Sequence, residues 1–168
     1  MKMEKKKRNI VIERTPNLLK NPYFEGFDYW RFVDSECFSD FIVHECHNVE
    51  GQPESFQKSL LRIYSYAPIE DRGIYQSIQS LSSGKYTFYV NCHIGTECFG
   101  TKRPGVYLRV ASDNCIIAEG RHYSRAGKKN LCLRLTFELL HDQDVQLQIL
   151  LDGAGEVYAK NAGLRLYS

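Results

Sequence analysis

Apolar and polar residues alternate one by one in several segments of this chain. The alternation covers residues 74–79, 86–91, 106–111, 131–139 and 145–151. Successive side chains of a β-strand point to opposite faces, so the pattern predicts half-buried strands, whereas a helix repeats its apolar residues every three to four positions. The residues predicted to face the core are Ile74, Ile78, Tyr86, Phe88, Val90, Val106, Leu108, Val110, Leu131, Leu133, Leu135, Phe137, Leu139, Val145, Leu147, Ile149 and Leu151.

Turn-forming residues separate these segments and decide the fold class. Gly, Pro, Asn and Asp recur about every ten to fifteen residues, which is typical of short strands joined by turns. Sequential strands joined in this way are expected to pair as antiparallel neighbours, and only residues 54–61 are a candidate for a short helical turn. Two sheets that pack face to face each bury one face, so we predict an all-β, antiparallel β-sandwich.

Length and charge favour a single domain. The chain has 168 residues, 43% of them hydrophobic, and residues 15–168 are predicted to form one β-sandwich binding domain. Residues 1–14 are predicted to be a basic tail, with the run Lys5–Arg8, and a candidate first strand. A net charge of +2 and one short cationic run predict no nucleic-acid partner. No apolar run reaches the about 18 residues of a membrane span.

Six cysteines and the N-terminal sequence bear on the cellular compartment. The N-terminus has no apolar stretch after its charged start, so it is not a secretory signal. We therefore expect reduced, mostly structural thiols. Cys37, His44, Cys46 and His47 cluster in sequence. However, adjacent residues of a strand point to opposite faces and the chain has no CxxC pair, so a zinc site is not predicted.

The segment NLLKNPYFEGFDYW, residues 17–30, resembles the start of the carbohydrate-binding modules of families 4, 9 and 22. These modules are jelly rolls of the galactose-binding-domain-like type. Further stretches resemble strands of the same modules in the same order, at residues 73–78, 83–90, 105–110, 133–137 and 157–164. The resemblance implies a galactose-binding-like β-sandwich that binds a glycan. F-box-associated domains share the sandwich and a similar start, but they depart from this chain afterwards.

The family often holds a structural calcium between acidic residues near the first strand and an aspartate in the last. Glu25 keeps the first position, so the resemblance implies it as a calcium ligand. Lys160 and Asn161 replace the closing aspartates, and an ammonium group repels Ca²⁺. We therefore expect no cofactor, with calcium at Glu25 as the alternative.

Sugar sites combine flat aromatic rings with side chains that hydrogen-bond to hydroxyls. The alternation turns several such residues away from the core. The predicted ligand-binding residues are Tyr75, Tyr89, Asn91, Tyr107, Arg109, Arg134 and Glu138. Tyr89 and Tyr107 are predicted to lie on neighbouring strands as an aromatic platform. The alternative is that cross-strand tyrosines only stabilise the sheet.

Residues outside the predicted sheet face also bear on the functional interpretation. The glycine-rich loops 95–105 and 119–129 are the alternative location of a site, with Arg121, Tyr123 and Arg125 as its candidates. Trp30 is predicted to pack in the core. Asp142 and Asp144 are predicted to lie in a solvated turn. The sequence contains no motif of a known catalytic site, so an enzyme is not predicted.

These observations predict a non-catalytic carbohydrate-binding module with a glycan or glycoconjugate as its partner. The alternative is a structural or adhesion module of a phage tail, a virion or another protein assembly, with protein partners. Without a secretory signal, the expected location is the cytoplasm or a virion, unless a leader was removed from a secreted module. The sequence leaves open which glycan binds and how many copies assemble.

Overall fold

The computed structural model describes residues 15–24, 28–33, 42–46, 60–95, 105–123 and 130–167. For residues 42–46, 60, 64–70, 123, 152 and 154 only the backbone is described. Every regular element in these ranges is a β-strand. Accordingly, the described ranges hold no helix that could cross a membrane.

Eight strands build the domain, and two of them are much longer than the rest. The strands are β1 (Arg31–Phe32), β2 (Ile42–Cys46), β3 (Leu60–Leu81), β4 (Gly84–Ile94), β5 (Gly105–Ser112), β6 (Cys115–Tyr123), β7 (Leu131–Leu139) and β8 (Gln143–Leu166). β3 has 22 residues and β8 has 24, whereas β4, the next longest, has 11. All pairings are antiparallel.

The long strands pair with each other and pass through both sheets of a sandwich. Their register shifts near Ser65, Ile69 and Arg72, which is where they bend from one sheet into the other. We call the layer β1, β3 (71–81), β8 (143–152), β5 and β6 the front sheet. The back sheet is β2, β3 (60–65), β8 (155–166), β4 and β7. The antiparallel β-sandwich predicted from the sequence is confirmed.

Two short turns connect strands of different sheets. β3 and β4 are separated only by Ser82 and Ser83, yet β3 lies there in the front sheet and β4 in the back sheet. Residues 140–142 likewise join β7 of the back sheet to β8 of the front sheet. The expectation that strands joined by short turns pair with each other is therefore wrong at both places and correct for the β5–β6 hairpin.

One hydrophobic cluster fills the space between the sheets. The back sheet contributes Phe88 and Leu164, and the front sheet contributes Leu108, Leu147 and Ile149, all at most 1% exposed. The core positions predicted from alternation lie in this cluster or pack against it. Period-two patterning therefore identified the inward face of each strand.

The N-terminal segment closes one end of the back sheet. The backbone of Leu18 donates to Leu164, and the backbone of Ala162 donates to Pro22, so residues 18–22 continue the sheet beside β8. Gln76 is 3% exposed, and its amide both accepts from the Lys20 N–H at 2.7 Å and donates to the Lys20 carbonyl at 2.9 Å. This pair of bonds fastens the segment to β3.

Trp30 is buried, as predicted. Its ring lies 5.1 Å from that of Phe24, and its indole N–H donates to the carbonyl of Asn21 at 3.0 Å. The tryptophan therefore anchors the chain between the N-terminal segment and β1, and its ring is not a surface platform.

The three described thiols form no disulfide with one another and differ in surroundings. Cys92 lies in the core, where burial raises the pKa of its thiol to about 12. Cys115 and Cys132 are exposed. Cys92 is therefore a structural thiol, as predicted for most of the six, whereas Cys115 and Cys132 lie at the surface. The thiols of Cys37, Cys46 and Cys98 are outside the described part of the structure.

We expect Gln76→Leu to lower the free energy of unfolding by about 1–3 kcal/mol, because Lys20 loses both amide partners while the volume at position 76 is kept. Urea unfolding monitored by Trp30 fluorescence measures the change. The control Gln79→Leu alters an exposed residue of the same strand and should change stability by less than about 0.5 kcal/mol. Equal effects of the two substitutions would show that the Gln76–Lys20 bonds do not contribute.

Candidate functional site

The two sheets present two outer faces, and the predicted site residues are divided between them. Tyr75, Tyr107 and Arg109 belong to the front sheet, whereas Tyr89 and Asn91 belong to the back sheet. β4 pairs with β7 and β8, and β5 pairs with β6 and β8, so β4 and β5 are not neighbours. The predicted Tyr89–Tyr107 platform is therefore wrong: the core lies between the two rings.

A groove of about 650 Å³ runs over the front sheet. Its lining is mostly amide, hydroxyl and charged side chains from β3, β8 and β5, with the turn between β5 and β6 at one end. The polar residues that line it are Ser77, Gln79, Arg109, Ser112, Asp113, Asn114, Asp144, Gln146 and Gln148. Ala111 and the exposed Ile116 add apolar surface.

Gln148 lies in the centre of the front sheet, between Tyr75 of β3 and Arg109 of β5. It is 8% exposed, and its Nε2 donates to Oε1 of Gln146 at 3.2 Å. Its own Oε1 is buried and accepts no hydrogen bond from any described residue. A buried, unsatisfied carbonyl costs about 1–3 kcal/mol, which a ligand donor would recover.

Tyr75 and Arg109 are the predicted site residues that the structure places beside this groove. Both share the register row of Gln148, and Arg109 lines the groove directly. Tyr75 is half-buried, with Arg31 of β1 opposite it on the other side.

Tyr107 was predicted to be a ligand-binding residue turned towards solvent, and its exposure is wrong. It does face away from the main core, but it is 0% exposed because neighbouring side chains cover it. The guanidinium of Arg121 lies 4.3 Å from the ring centroid. The hydroxyl donates to the carboxylate of Asp71 and accepts from the Asp71 N–H at 2.7 Å. Tyr107 therefore supports the groove and does not line it.

Arg109 is held in place by two carboxylates. Its Nη2 donates to Asp71 at 2.6 Å and its Nε donates to Glu119 at 2.7 Å. Arg121 donates to the second oxygen of Glu119 at 2.9 Å. These bonds fix the guanidinium and neutralise most of its charge, so it presents oriented N–H groups without a strong positive field.

The same network lowers the pKa of both carboxyl groups. For Asp71 the hydrogen bond from Tyr107 is the largest cause, and Arg109 adds to it. For Glu119 partial burial acts to raise the pKa, but the hydrogen bonds from Arg121 and Arg109 outweigh it and the net pKa is lowered. Both groups therefore remain ionised below their ordinary titration range.

The other predicted residues lie on the back sheet. Tyr89 pairs with Arg134 of β7 on one side and with Gly163 of β8 on the other. Asn91 donates to Oδ1 of Asn161 at 2.7 Å. Glu138 is exposed and lies opposite Lys85, four residues along β4 from Tyr89. Tyr89, Asn91 and Arg134 are thus brought together, and Glu138 lies apart from them.

Sequence reasoning missed Gln146, Gln148 and Asp71. The two glutamines occupy the polar positions of an alternating segment, so the signal was present, but aromatic residues were preferred as candidates. Asp71 is not part of any alternating apolar–polar segment, because it lies at the bend of β3, where its φ is 58°.

Several predictions fall on parts of the chain that are not described. Glu25, the candidate calcium ligand, lies outside the described residues, as do His47, Arg125 and residues 96–104. The described residues contain no cluster of three side chains able to hold a metal ion. Residues 119–123 belong to β6, so the predicted loop there is wrong.

Asp142 and Asp144 are both exposed, but only Asp142 lies in the turn before β8 as predicted, because Asp144 is already part of β8. The carboxylate of each also accepts a hydrogen bond from a backbone N–H. Asp142 accepts from the Ser83 N–H at 2.8 Å, and Asp144 accepts from the Ser80 N–H at 2.7 Å. These bonds tie the β7–β8 turn to the end of β3, and Asp144 closes the groove on that side.

Solved carbohydrate-binding modules of families 4, 22 and 61 share this fold over most of the chain. The CBM22-1 xylan-binding domain of Paenibacillus barcinonensis Xyn10C is 12% identical, with a TM-score of 0.59 over 91% of this chain and 96% of that one. TmCBM61, solved with β-1,4-galactotriose, is 14% identical, with a TM-score of 0.58 over 91% of this chain and 100% of that one. The predicted resemblance to carbohydrate-binding modules is confirmed at the level of fold.

Enzymes share the fold as well. The Stig cyclase Fisc from Fischerella sp. TAU is 16% identical, with a TM-score of 0.65 over 92% of this chain and 97% of that one. The enzymatically active domain of bacteriophage CBA120 tailspike protein 4 matches 90% of this chain with a TM-score of 0.58 and 12% identity, but this chain spans only 21% of its length. The sequence matches no family model and no curated protein.

The lowered pKa values predict that the Asp71 network stabilises the fold only above strongly acidic pH. A depressed carboxyl pKa contributes stability that is present above the unfolded-state pKa, ordinarily 3.8 for Asp and 4.5 for Glu, and is lost as pH falls through the folded-state value. We expect Asp71→Asn to be less stable than wild type at neutral pH, with the difference shrinking below about pH 4. Urea unfolding at a series of pH values measures it.

Glu138→Gln is the matched control, because Glu138 is an exposed carboxylate that forms no ion pair with any other described residue. Its stability difference should be small at every pH. If the Asp71→Asn difference were independent of pH, Asp71 would not act through its charge.

Proposed function

We propose that this protein is a carbohydrate-binding module that holds a glycan in the groove of its front sheet. The observation that carries the proposal is the buried, unpaired Oε1 of Gln148 at a groove lined by amides and hydroxyls. A sugar presents hydroxyl groups that both donate and accept, which suits this lining. The groove is open and polar. It therefore favours a ligand whose hydroxyl groups can take the place of water as hydrogen-bond partners of the lining side chains.

The groove combines the two kinds of contact that a sugar requires. Gln146 and Gln148 offer amide groups from β8, and Arg109 offers N–H groups whose direction its two carboxylate partners fix. Tyr75 supplies a half-buried ring in the same register row, next to Gln148. Side chains that are already fixed by hydrogen bonds within the protein lose little conformational entropy when a ligand binds.

The fold supports the same proposal, because solved modules that bind β-1,4-galactotriose and xylan share it. Low sequence identity means that this likeness concerns architecture, and the ligand is argued from the groove itself. Arg109 is the only described cation that lines the groove, and Asp71 and Glu119 offset its charge. Asp113 and Asp144 also line the groove, so it has no excess positive charge to attract an anionic ligand. The proposal is therefore for an uncharged glycan at this site.

We further propose that the groove binds without chemistry. General acid–base catalysis needs a titratable group that reaches the ligand. Tyr107 is buried and bonded to Asp71, and Arg109 remains charged. Asp144 accepts a hydrogen bond from the Ser80 N–H, and Asp113 is an exposed residue of the turn between β5 and β6 at the end of the groove. Incubation with a bound oligosaccharide, followed by mass spectrometry, should return the ligand unchanged, and a processed product would identify an enzyme.

The test is a glycan array that includes β-1,4-galactotriose and xylo-oligosaccharides, followed by calorimetry with the best ligand. We expect Gln148→Ala to weaken binding about tenfold, which corresponds to about 1.4 kcal/mol. Tyr75→Ala should also weaken it, because a stacking surface is removed.

Tyr89→Ala is the control for that test, since it removes a ring of similar exposure from the opposite face. It should leave the affinity for the uncharged ligand unchanged. Binding that survives Gln148→Ala and Tyr75→Ala would rule out the groove, and a folded protein that binds no glycan would rule out the function.

A second candidate function is a structural module in a larger assembly, and an apolar recess of about 430 Å³ favours it. Leu18, Leu81 and Leu166 line this recess at one end of the sandwich, and Leu166 is 47% exposed. Light scattering distinguishes this role: an assembly that Leu166→Ser dissociates would support it, and a monomer at all concentrations would not.

A further inference from the structure

We propose a second, independent binding site on the outer face of the back sheet, built around Tyr89 and fitted to an acidic glycan. Acidic here means a sugar that carries a carboxylate or a sulfate. The site lies on the opposite side of the core from the groove, so it does not depend on the function proposed for the groove. It rests on a fixed aromatic ring, an amide pair and two arginines.

The ring of Tyr89 packs directly against the backbone of Gly163. A methyl group at Gly163 would lie 2.3–2.4 Å from the Cζ, Cε1 and hydroxyl of Tyr89, so only glycine allows the ring to rest on the β8 backbone. The ring is half-buried against this backbone and keeps part of its surface open. A ring supported from below is an oriented platform for the apolar face of a sugar.

Hydrogen-bonding groups lie next to this platform in the next register row. Asn91 and Asn161 are cross-strand neighbours, and the Nδ2 of Asn91 donates to the Oδ1 of Asn161 at 2.7 Å. One bond between them leaves the remaining amide donors and acceptors for another partner. Amides beside a ring match sugar hydroxyls beside a pyranose.

Two arginines flank the ring from opposite strands. Arg134 lies directly across from Tyr89 on β7 and is exposed, and its Nε donates to Sγ of Cys132 at 3.5 Å. Arg165 of β8 places its Cζ 5.9 Å from the ring centroid, while its Nη1 donates to the Thr15 carbonyl at 2.5 Å. Among the described residues neither arginine has a carboxylate partner. Two arginines without a carboxylate partner among the described residues therefore lie on the strands beside Tyr89, and Nε and Nη2 of Arg165 each donate to the Tyr89 hydroxyl at 3.5 Å.

This charge state sets the site apart from the groove. Arg109 in the groove is paired with Asp71 and Glu119, whereas no carboxylate of the described part of the chain pairs with Arg134 or Arg165. A guanidinium binds carboxylate or sulfate oxygens through paired N–H donors. An anionic group on a stacked sugar would therefore meet a partner on either side of the ring.

A glycan fits the site better than a nucleic acid. A phosphate backbone is held by a track of several cations, and its affinity depends steeply on the number of phosphates neutralised. Here two charges and an amide pair surround a single ring, and the whole chain carries a net charge of only +2. The site has the size of one or two sugar units and not of a strand of stacked bases.

The experiment is calorimetry of the full chain with oligogalacturonate, with heparin-derived oligosaccharide and with single-stranded poly-dT. We expect at least one acidic glycan to bind, and its methyl-esterified or desulfated form to bind about tenfold more weakly or not at all. Arg134→Gln and Gly163→Ala should each weaken the binding about tenfold or more, the second by displacing the ring of Tyr89.

Lys85→Gln is the matched control, because it removes a charge from the same face about 13 Å along β4. The Lys85 Nζ lies 4.5 Å from the ring centroid of Tyr167, away from Tyr89. If Lys85→Gln and Arg134→Gln weakened acidic-glycan binding equally, the effect would come from the overall positive charge of this face and not from a specific site. That result would overturn the proposal. Failure of both acidic glycans to bind, or tighter binding of poly-dT, would also overturn it.

Gln148→Ala separates this site from the groove. The acidic ligand should bind this variant with the wild-type affinity. The uncharged ligand should bind it about tenfold more weakly than it binds wild type. Loss of acidic-glycan binding in Gln148→Ala would show that the groove, and not the Tyr89 face, holds the anion.

Discussion

The pairing of β3 with β8 is the interaction on which the rest of the structure depends. These two strands remain hydrogen-bonded to each other from Leu61–Ala159 at one end to Leu81–Gln143 at the other. Every other strand attaches to this ladder directly or through one intermediate strand. The bend near Ile69 turns one ribbon into two layers, so both the core and the two outer faces follow from it.

The bend also explains the difference between the two faces. On the front sheet, β8 brings Gln146 and Gln148 between β3 and β5, and Asp71 at the bend reaches Tyr107 and Arg109. On the back sheet, the same strand brings Gly163 and Arg165 beside Tyr89. One strand thus contributes to a groove whose arginine is paired with carboxylates and to a cationic aromatic face.

The sequence predicted the fold class and the inward face of each strand, because side-chain alternation is a local property of the backbone. It did not predict which strands are neighbours. The sequence of the turn Ser82–Ser83 is typical of a β-hairpin, but the turn connects a strand of one sheet to a strand of the other. Whether such a turn joins paired strands or crosses between sheets depends on the strands that pair with its neighbours. Tyr107 was misjudged for a similar reason: alternation turns it outward, but Arg121 from the next strand covers it. Burial of this kind depends on contacts distant in sequence.

The placement of the two faces has a consequence for how a single copy of the domain meets polymers. Two packed sheets are separated by about 10 Å, and their outer faces look in opposite directions. A chain lying across one face cannot touch or displace a chain on the other. One copy with ligands on both faces would therefore act as a molecular cross-link, holding an uncharged and an acidic strand of a mixed polymer network side by side.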